Sequence, residues 1–512
     1  MRKLETSQST VIFIAMSAVV GLAYACLAWQ QLRYGIEYDE STNLTVIKNV
    51  AEGNGYATTG ASLGWYREFD PGASTGPALL LPGAAAWFVS GGVLWIVRIV
   101  PLLFFVVYLG SLAWLFTRLA GRWAGLIAVA SPLVLSVGLA DISTVSLVPG
   151  RYVGEFTAVA FTVLMAALIY RRQPLLAGIA GGLAIQTKFN FALPIAVVLL
   201  VAVLGSWLRH DRGLRPHVTR LVLGVLIPTL LFEVYRLVSL GPSGYRTSVR
   251  EYASYLLGQS AAGSESLAET IGHRLAGLLG TLSAGGALLL LLATAIVILG
   301  VFASSDSGSA DSAVARTNVS DGSWFDPVVG LLGAAGSVLL WWTTSAGQDS
   351  PRLGLPVILL AAPVLGVAAL VVLSRLLSSS QGRTQTAATA FATLVGMGAG
   401  LFILSQGWTA ATSSFGERLL ADQVAAADAL TSSGTPSLPH ESMWHLSHLQ
   451  LLSGIPSEDK PGIEKPTVRV FDSIRARVEY AVDDARAFEG ECPSVIFASR
   501  GVLVCGVSNE GS

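Results

Sequence analysis

Residues 10–31 read Thr10-Val-Ile-Phe-Ile-Ala-Met-Ser-Ala-Val-Val-Gly-Leu-Ala-Tyr-Ala-Cys-Leu-Ala-Trp-Gln-Gln31, and residues 34–41 follow as Tyr34-Gly-Ile-Glu37-Tyr38-Asp39-Glu40-Ser41. The first stretch carries no charge and is long enough to cross a bilayer, which takes about 20 apolar residues. The second gathers Glu37, Asp39 and Glu40 just where that helix leaves the membrane. Charge at that depth is costly unless it is solvated or used. A spanning helix followed at once by an acidic cluster sets the fold class and the place to look for chemistry.

The rest of the chain repeats the first half of that pattern. Of 512 residues, 52% are hydrophobic and 13% charged, where soluble domains run at about 25% charged. Mean hydropathy is +0.61. These values exclude an ordinary soluble globule, a disordered chain and a coiled coil. The apolar runs are too long, and alternate too little, for an outer-membrane barrel. A net charge of −1 supplies no basic field for nucleic acid. Apolar runs predict eleven spans, near 10–31, 99–117, 123–140, 153–170, 174–187, 190–208, 219–240, 276–302, 327–344, 353–374 and 386–407.

Residues 77–96 are a twelfth apolar stretch, and charge decides its role. If it does not span, Arg118, Arg122, Arg171, Arg172, Arg209, Arg212, Arg215, Arg220, Arg375 and Arg383 lie on the side of the N-terminus. The opposite short loops then hold only Arg151, Lys188 and Arg352. That bias follows the positive-inside rule, and a spanning 77–96 would invert it. The stretch is therefore read as a re-entrant or interfacial helix on the outer face. Residues 303–326 run against the trend, with four aspartates and Arg316 on the inner side, but acidic residues count little in the rule.

Three large outer pieces result: 32–98, 241–275 and the tail 408–512. The tail reads as a small soluble domain, and 1–407 as the transmembrane module. Near its end, Ser494-Val-Ile-Phe-Ala-Ser-Arg-Gly-Val-Leu-Val-Cys505 has the form of two strands around an Arg500-Gly501 turn. Cys492 and Cys505 flank that hairpin, and an oxidising outer compartment would pair them as a disulfide. Cys26 in the first span is read as a small apolar residue. His440-Glu441-x-x-x-His445-x-x-His448 misses metalloprotease spacing and is read as a helix with surface histidines.

Leu44, Ile47 and Ala51 share a helical face, Ser41 or Thr42 can cap that helix, and Gly53 and Gly55 end it. Asp39 then sits at the start of a helix lying flat on the outer surface. A capping acid at a helix start is the plain alternative for it. A second cluster, Trp65-Tyr-Arg67-Glu68-Phe69-Asp70-Pro71-Gly-Ala-Ser74-Thr75-Gly76-Pro77, leads into the 77–96 helix. Arg151, Glu155, Lys188 and Arg352 fall at outer ends of spans, and Arg246 in the second outer loop. Each alone reads first as an interfacial anchor; together they suit a phosphate carried on a lipid.

The ordered set resembles the GT-C glycosyltransferases. It consists of Asp39-Glu40 after span one, Phe69-Asp-Pro with Thr75-Gly-Pro, the Arg151-Tyr-x-x-Glu155 segment, Thr187-Lys188 and Pro351-Arg352. Within that superfamily it looks like the protein O-mannosyltransferase and aminoarabinose-transferase branch. Residues 10–200 carry the resemblance in motifs and 200–400 in topology; the tail lies outside it. The implied fold class is an all-α polytopic membrane protein of GT-C type. It has about eleven transmembrane helices, an outer re-entrant or juxtamembrane helix and a small α+β extracytoplasmic C-terminal domain.

The resemblance implies transfer of one sugar from a polyprenyl-phosphate donor to a glycan, lipid or protein acceptor on the outer face of the cell membrane. Asp39 would be the base, with Glu40 beside it. Asp70, Arg151, Glu155, Lys188, Arg246 and Arg352 would bind donor phosphate or acceptor. No organic cofactor is implied, and no cage of oxygen ligands is visible, although a divalent metal stays open. Membrane lipids are expected partners and nucleic acid is not. A lipid-linked-sugar flippase or an inactive envelope scaffold are the competing readings. A transporter calls for ionisable residues at the middle of spans, and only Glu233 and Arg236, near one end of a span, come close.

Overall fold

The computed structural model describes residues 2–36, 38–59, 66–70, 75–134, 150–208, 214–259, 267–280, 282, 287–297, 326–345, 351–379, 398, 400–405, 415–435, 438, 443–453, 455, 468–472, 485–499 and 502–506. The first helix, α1 (Arg2–Leu32), is followed by α2 (Tyr38–Ala51), a hairpin of β1 (Ala57–Thr59) and β2 (Tyr66–Glu68), then α3 (Pro77–Ser90) and α4 (Leu94–Ala120). The bundle continues through α5 (Arg122–Ala130), α6 (Gly154–Tyr170), α7 (Pro174–Thr187), α8 (Ala192–Leu208), α9 (Leu214–Gln259) and α10 (Leu267–Gly280). Then come α11 (Ala287–Val297), α12 (Pro327–Ser345) and α13 (Leu355–Ser379). The tail holds α14 (Phe415–Ser432), α15 (Met443–Ser453), β3 (Val468–Asp472), β4 (Ser494–Ala498) and β5 (Val502–Gly506).

Six of the described helices are long and apolar enough to cross a membrane, and the protein is a multi-pass membrane protein. Residues 135–149, most of 386–407 and parts of the predicted span 276–302 lie outside the described residues. Residues 303–325 of the acidic stretch lie outside them too.

The stretch 77–96 divides. Its helix ends at Ser90, where Gly91 (φ 65°) and Gly92 (φ 85°) take the left-handed conformation, and residues 94–96 already belong to α4. Pro77 sits at the helix start, where no backbone donor is missed. Fourteen residues rise about 21 Å, short of a hydrocarbon core of about 30 Å. The exposed Phe88, Val89 and Trp95 suit an interfacial position for this corner.

The central helix is α6, buried almost throughout from Gly154 to Ile169. Around it α4, α5, α7, α12 and α13 share one apolar core. Close approach explains the Gly- and Ala-rich sequence of α7: a Cβ on Gly178 would stand 2.0 Å from the Leu221 carbonyl oxygen of α9. Small residues let backbones meet where lipid offers no hydrophobic drive. The α9 helix bends at Gly241 (φ 66°) before Pro242, where the predicted span 219–240 ends.

A second core lies outside the bundle. Ile36, Leu44, Val46 and Ile47 pack there with Tyr56, Phe69, Leu79, Leu80, Val97 and Tyr152. The α2 helix is therefore covered by other parts of the chain. It begins at Tyr38, and Ser41, Asn43 and Asn49 are buried along with its apolar face. The tail helix α15 supplies Leu451 and Leu452 to this same core. Periodicity could not show this, because the buried polar positions are satisfied by hydrogen bonds rather than by apolar neighbours.

In the tail the strands are antiparallel in the order β3-β5-β4. The hairpin β4–β5 is the one expected; β3 was not. Cys492 and Cys505 form a disulfide, with Cα atoms 5.2 Å apart. His448 is buried at 1% exposure, which corrects the expectation of surface histidines; His440 and Glu441 lie outside the described residues.

Candidate active site

Asp39 and Glu40 occupy the first turn of α2, where helix dipole and exposed N–H groups favour carboxylates. Asp39 is partly exposed. Glu40 is fully buried, and its carboxylate is gripped by Arg98 of α4. The Arg98 Nε donates to Oε1 at 2.8 Å and Nη2 to Oε2 at 2.6 Å, a bidentate fork. The same guanidinium donates to the Tyr34 and Gly35 carbonyls. One buried arginine thus ties the exit of α1 to the start of α2 and fixes where Asp39 stands. Glu40 is a positioning group in this geometry.

Arg151 is stacked over the Tyr34 ring, its Cζ 4.3 Å from the ring centroid, and is 7% exposed. The next residue, Tyr152, donates its hydroxyl to the Val97 carbonyl at 2.7 Å. Burial, and then the Glu40 charge, push that phenol well above its usual value, so it stays protonated. The Tyr152 carbonyl accepts from the Asn43 amide at 2.6 Å, and the same amide donates to Thr75 Oγ1 at 3.1 Å.

Thr75 leads to Gly76, whose N–H donates to the Thr187 carbonyl at 2.8 Å. A Cβ at Gly76 would stand 2.1 Å from the Gln186 carbonyl oxygen, so only glycine fits. Lys188 follows in extended conformation at the end of α7, and its Nζ lies 3.2 Å from Glu155 Oε1 on α6. Both partners are buried. Asp70 is 4% exposed and accepts from the Thr58 hydroxyl at 2.7 Å. It follows Phe69, which has φ 52° and stacks on Tyr56. Tyr56 in turn donates to the Thr75 carbonyl at 3.2 Å.

The structure therefore joins Asp39, Glu40, Asp70, Arg151, Glu155 and Lys188 through one chain of contacts. Among the described residues, Arg246 does not join it: it is exposed on the far limb of α9. That limb still touches the hairpin, through Arg67–Glu251 at 2.6 Å and through Arg236, which donates to Ser248 and lies over Phe69. Arg352 has its backbone in the 3₁₀ turn Pro351–Gly354, and its side chain lies outside the described residues. No group of three His, Cys, Asp or Glu able to hold a metal occurs among the described residues.

Sequence reasoning missed Arg98, Asn43 and Tyr152. Arg98 had a signal: it is a lone cation between two apolar stretches, the kind of residue that marks a buried pairing. Asn43 and Tyr152 had none, because each acts through one specific hydrogen bond.

The arrangement is a polytopic, all-helical membrane fold with a small C-terminal sheet, and solved structures share it. ArnT from Cupriavidus metallidurans bound to undecaprenyl phosphate is similar at a TM-score of 0.57 and 15% identity, over 98% of this chain and 99% of that one. The apo state of the same protein gives a TM-score of 0.55. The archaeal oligosaccharyltransferase AglB from Archaeoglobus fulgidus, in complex with an inhibitory peptide and a dolichol-phosphate, gives 0.51 at 14% identity, over 90% of this chain and 61% of that one. No family model matches the sequence, and neither does any curated protein.

Proposed function

We propose that the protein is a membrane glycosyltransferase that moves a sugar from a polyprenyl phosphate to an acceptor on the outer face of the cell membrane. Asp39 takes the proton of the acceptor hydroxyl as that oxygen attacks the anomeric carbon. The bond from that carbon to the phosphate oxygen breaks, and the lipid phosphate leaves with the electron pair. One displacement inverts the anomeric configuration. Fixed cations stabilise the developing phosphate charge more cheaply than water would, because they need no reorganisation. Arg98 is committed to Glu40, so Lys188 and Arg151 are the network cations assigned to the phosphate, with Arg246 and Arg352 as further contacts. Glu155 orients Lys188, and Asp70 shapes the wall on the acceptor side.

What supports this reading is that Glu40, next to a partly exposed Asp39, lies in one chain of contacts with the buried Arg151 and Lys188. Two proteins of the same fold are described with undecaprenyl phosphate and with a dolichol-phosphate bound. The outer placement rests on the charge bias of the loops. A panel of labelled polyprenyl-phosphate sugars, offered to the purified protein with a membrane extract as acceptor source, tests it. Transfer of one label with release of polyprenyl phosphate supports the proposal. Movement of intact donor across vesicles without transfer would favour the flippase instead.

A further inference from the structure

We infer that the tail is part of the catalytic framework: through Gln423 of α14 it holds the segment that carries Asp39 in place. The inference rests on the reading of Asp39 as the base. Ile36 lies three residues before Asp39, between two helices. Its N–H donates to Gln423 Oε1 at 2.8 Å, and the Gln423 Nε2 donates to the Ile36 carbonyl at 3.0 Å. One side-chain amide thus satisfies both polar groups of one loop residue, as a neighbouring strand would. Gln423 is fully buried, so the two bonds face no competition from water.

The neighbouring residue is shaped for this contact. A Cβ on Gly35 would stand 2.5 Å from Leu419 Cδ2 and 3.3 Å from Gln423 Oε1. From the opposite side Arg98 takes the carbonyls of Tyr34 and Gly35. The link from α1 to α2 is therefore held by a membrane helix on one flank and a tail helix on the other. Ala426, Ala427 and Leu430, further along α14, belong to the tail core with Val468, Val502 and Val504 of the sheet. The sheet is stapled by Cys492–Cys505. The tail thus reaches the segment before the base through α14, while α15 packs on α2 itself. Gln423 is a positioning residue in this scheme, and displacing a catalytic group by about 1 Å can cost about a hundredfold in rate.

The test uses the full chain in nanodiscs, with Gln423→Ala, Gln423→Glu and, as a control on the exposed side of α14, Val424→Ala. Hydrogen exchange needs no donor. In Gln423→Ala the amides of residues 34–40 should exchange about tenfold to a hundredfold faster, the factor two neutral hydrogen bonds supply, while α14 keeps its own protection. On the active donor kcat should fall about tenfold or more, with KM for the donor within about twofold. Gln423→Glu gives a signature that plain anchoring lacks. Its protonated carboxyl can both donate to and accept from Ile36, whereas its ionised form only accepts and repels the Ile36 carbonyl. Its kcat relative to the unmodified chain should therefore fall as pH rises. Unchanged exchange in Gln423→Ala overturns the inference, with or without activity. Faster exchange with unchanged kcat overturns it as well. If the unmodified chain transfers from no donor, the transferase reading fails, and the exchange measurement still decides whether the tail holds this loop.

Discussion

Glu40→Gln should cripple the fold of the outer layer rather than its chemistry alone. The substitution keeps the shape and removes one charge from a pair whose two side chains are both fully buried. The Arg98 guanidinium then keeps its carbonyl partners at Tyr34 and Gly35, but its charge has no counter-ion. Breaking a buried ion pair from one side costs about 3–5 kcal/mol. The amide of the substituted residue can accept one of the two bonds, which places this case at the lower end, about 3 kcal/mol. Arg98→Met should cost a comparable amount by stranding the carboxylate. The double variant Glu40→Gln with Arg98→Met leaves no buried charge, so it should recover part of the loss, as paired apolar replacements do. The assay is the thermal midpoint of the detergent-solubilised protein, followed by tryptophan fluorescence with size-exclusion recovery as a second probe. If Glu40→Gln melts with the unmodified protein, or if the double variant is worse than the sum of the singles, the positioning role of this pair is refuted.

Gly76→Ala should abolish activity and lower yield, because its Cβ would meet the Gln186 carbonyl oxygen at 2.1 Å; Gly110→Ala, with nothing within 4 Å, should express normally. Blocking the Cys492–Cys505 disulfide by Cys505→Ser should cost the tail about 2–5 kcal/mol. Limited proteolysis should then cut within 468–506 while the bundle stays intact. Cysteine introduced by Arg212→Cys or Ser433→Cys should label from opposite sides of the membrane, and labelling of both from one side would refute the assigned orientation.

Composition and long apolar runs carried the fold class, because bilayer crossing leaves a mark no other constraint imitates. The short apolar helix before α4 was visible too; its end at Gly91 was blurred by the apolar residues that follow. Of the residues singled out from the sequence, Glu40, Asp70, Arg151, Glu155 and Lys188 fall in one network beside Asp39. The rest depends on tertiary reach. Gln423 lies 387 residues from Ile36, and Arg98 lies 58 from Glu40, so no local pattern could join them. The tail read as a separate domain for the same reason: its sheet has its own core, while α14 and α15 pack on the 32–98 segment through residues remote from it in sequence.

The central claim is that Asp39 is the base of a sugar transfer, and Asp39→Asn tests it most directly. The change keeps size and the place in the first turn of α2, where losing a charge against the helix dipole costs about 0.3–1 kcal/mol, so folding and donor binding should persist. General-base catalysis contributes about 10²–10⁴-fold. Single-turnover transfer from the active polyprenyl-phosphate donor should therefore fall at least about a hundredfold, with donor affinity within about twofold. Near-full transfer by Asp39→Asn, in protein that melts and binds donor like the unmodified chain, would contradict the account.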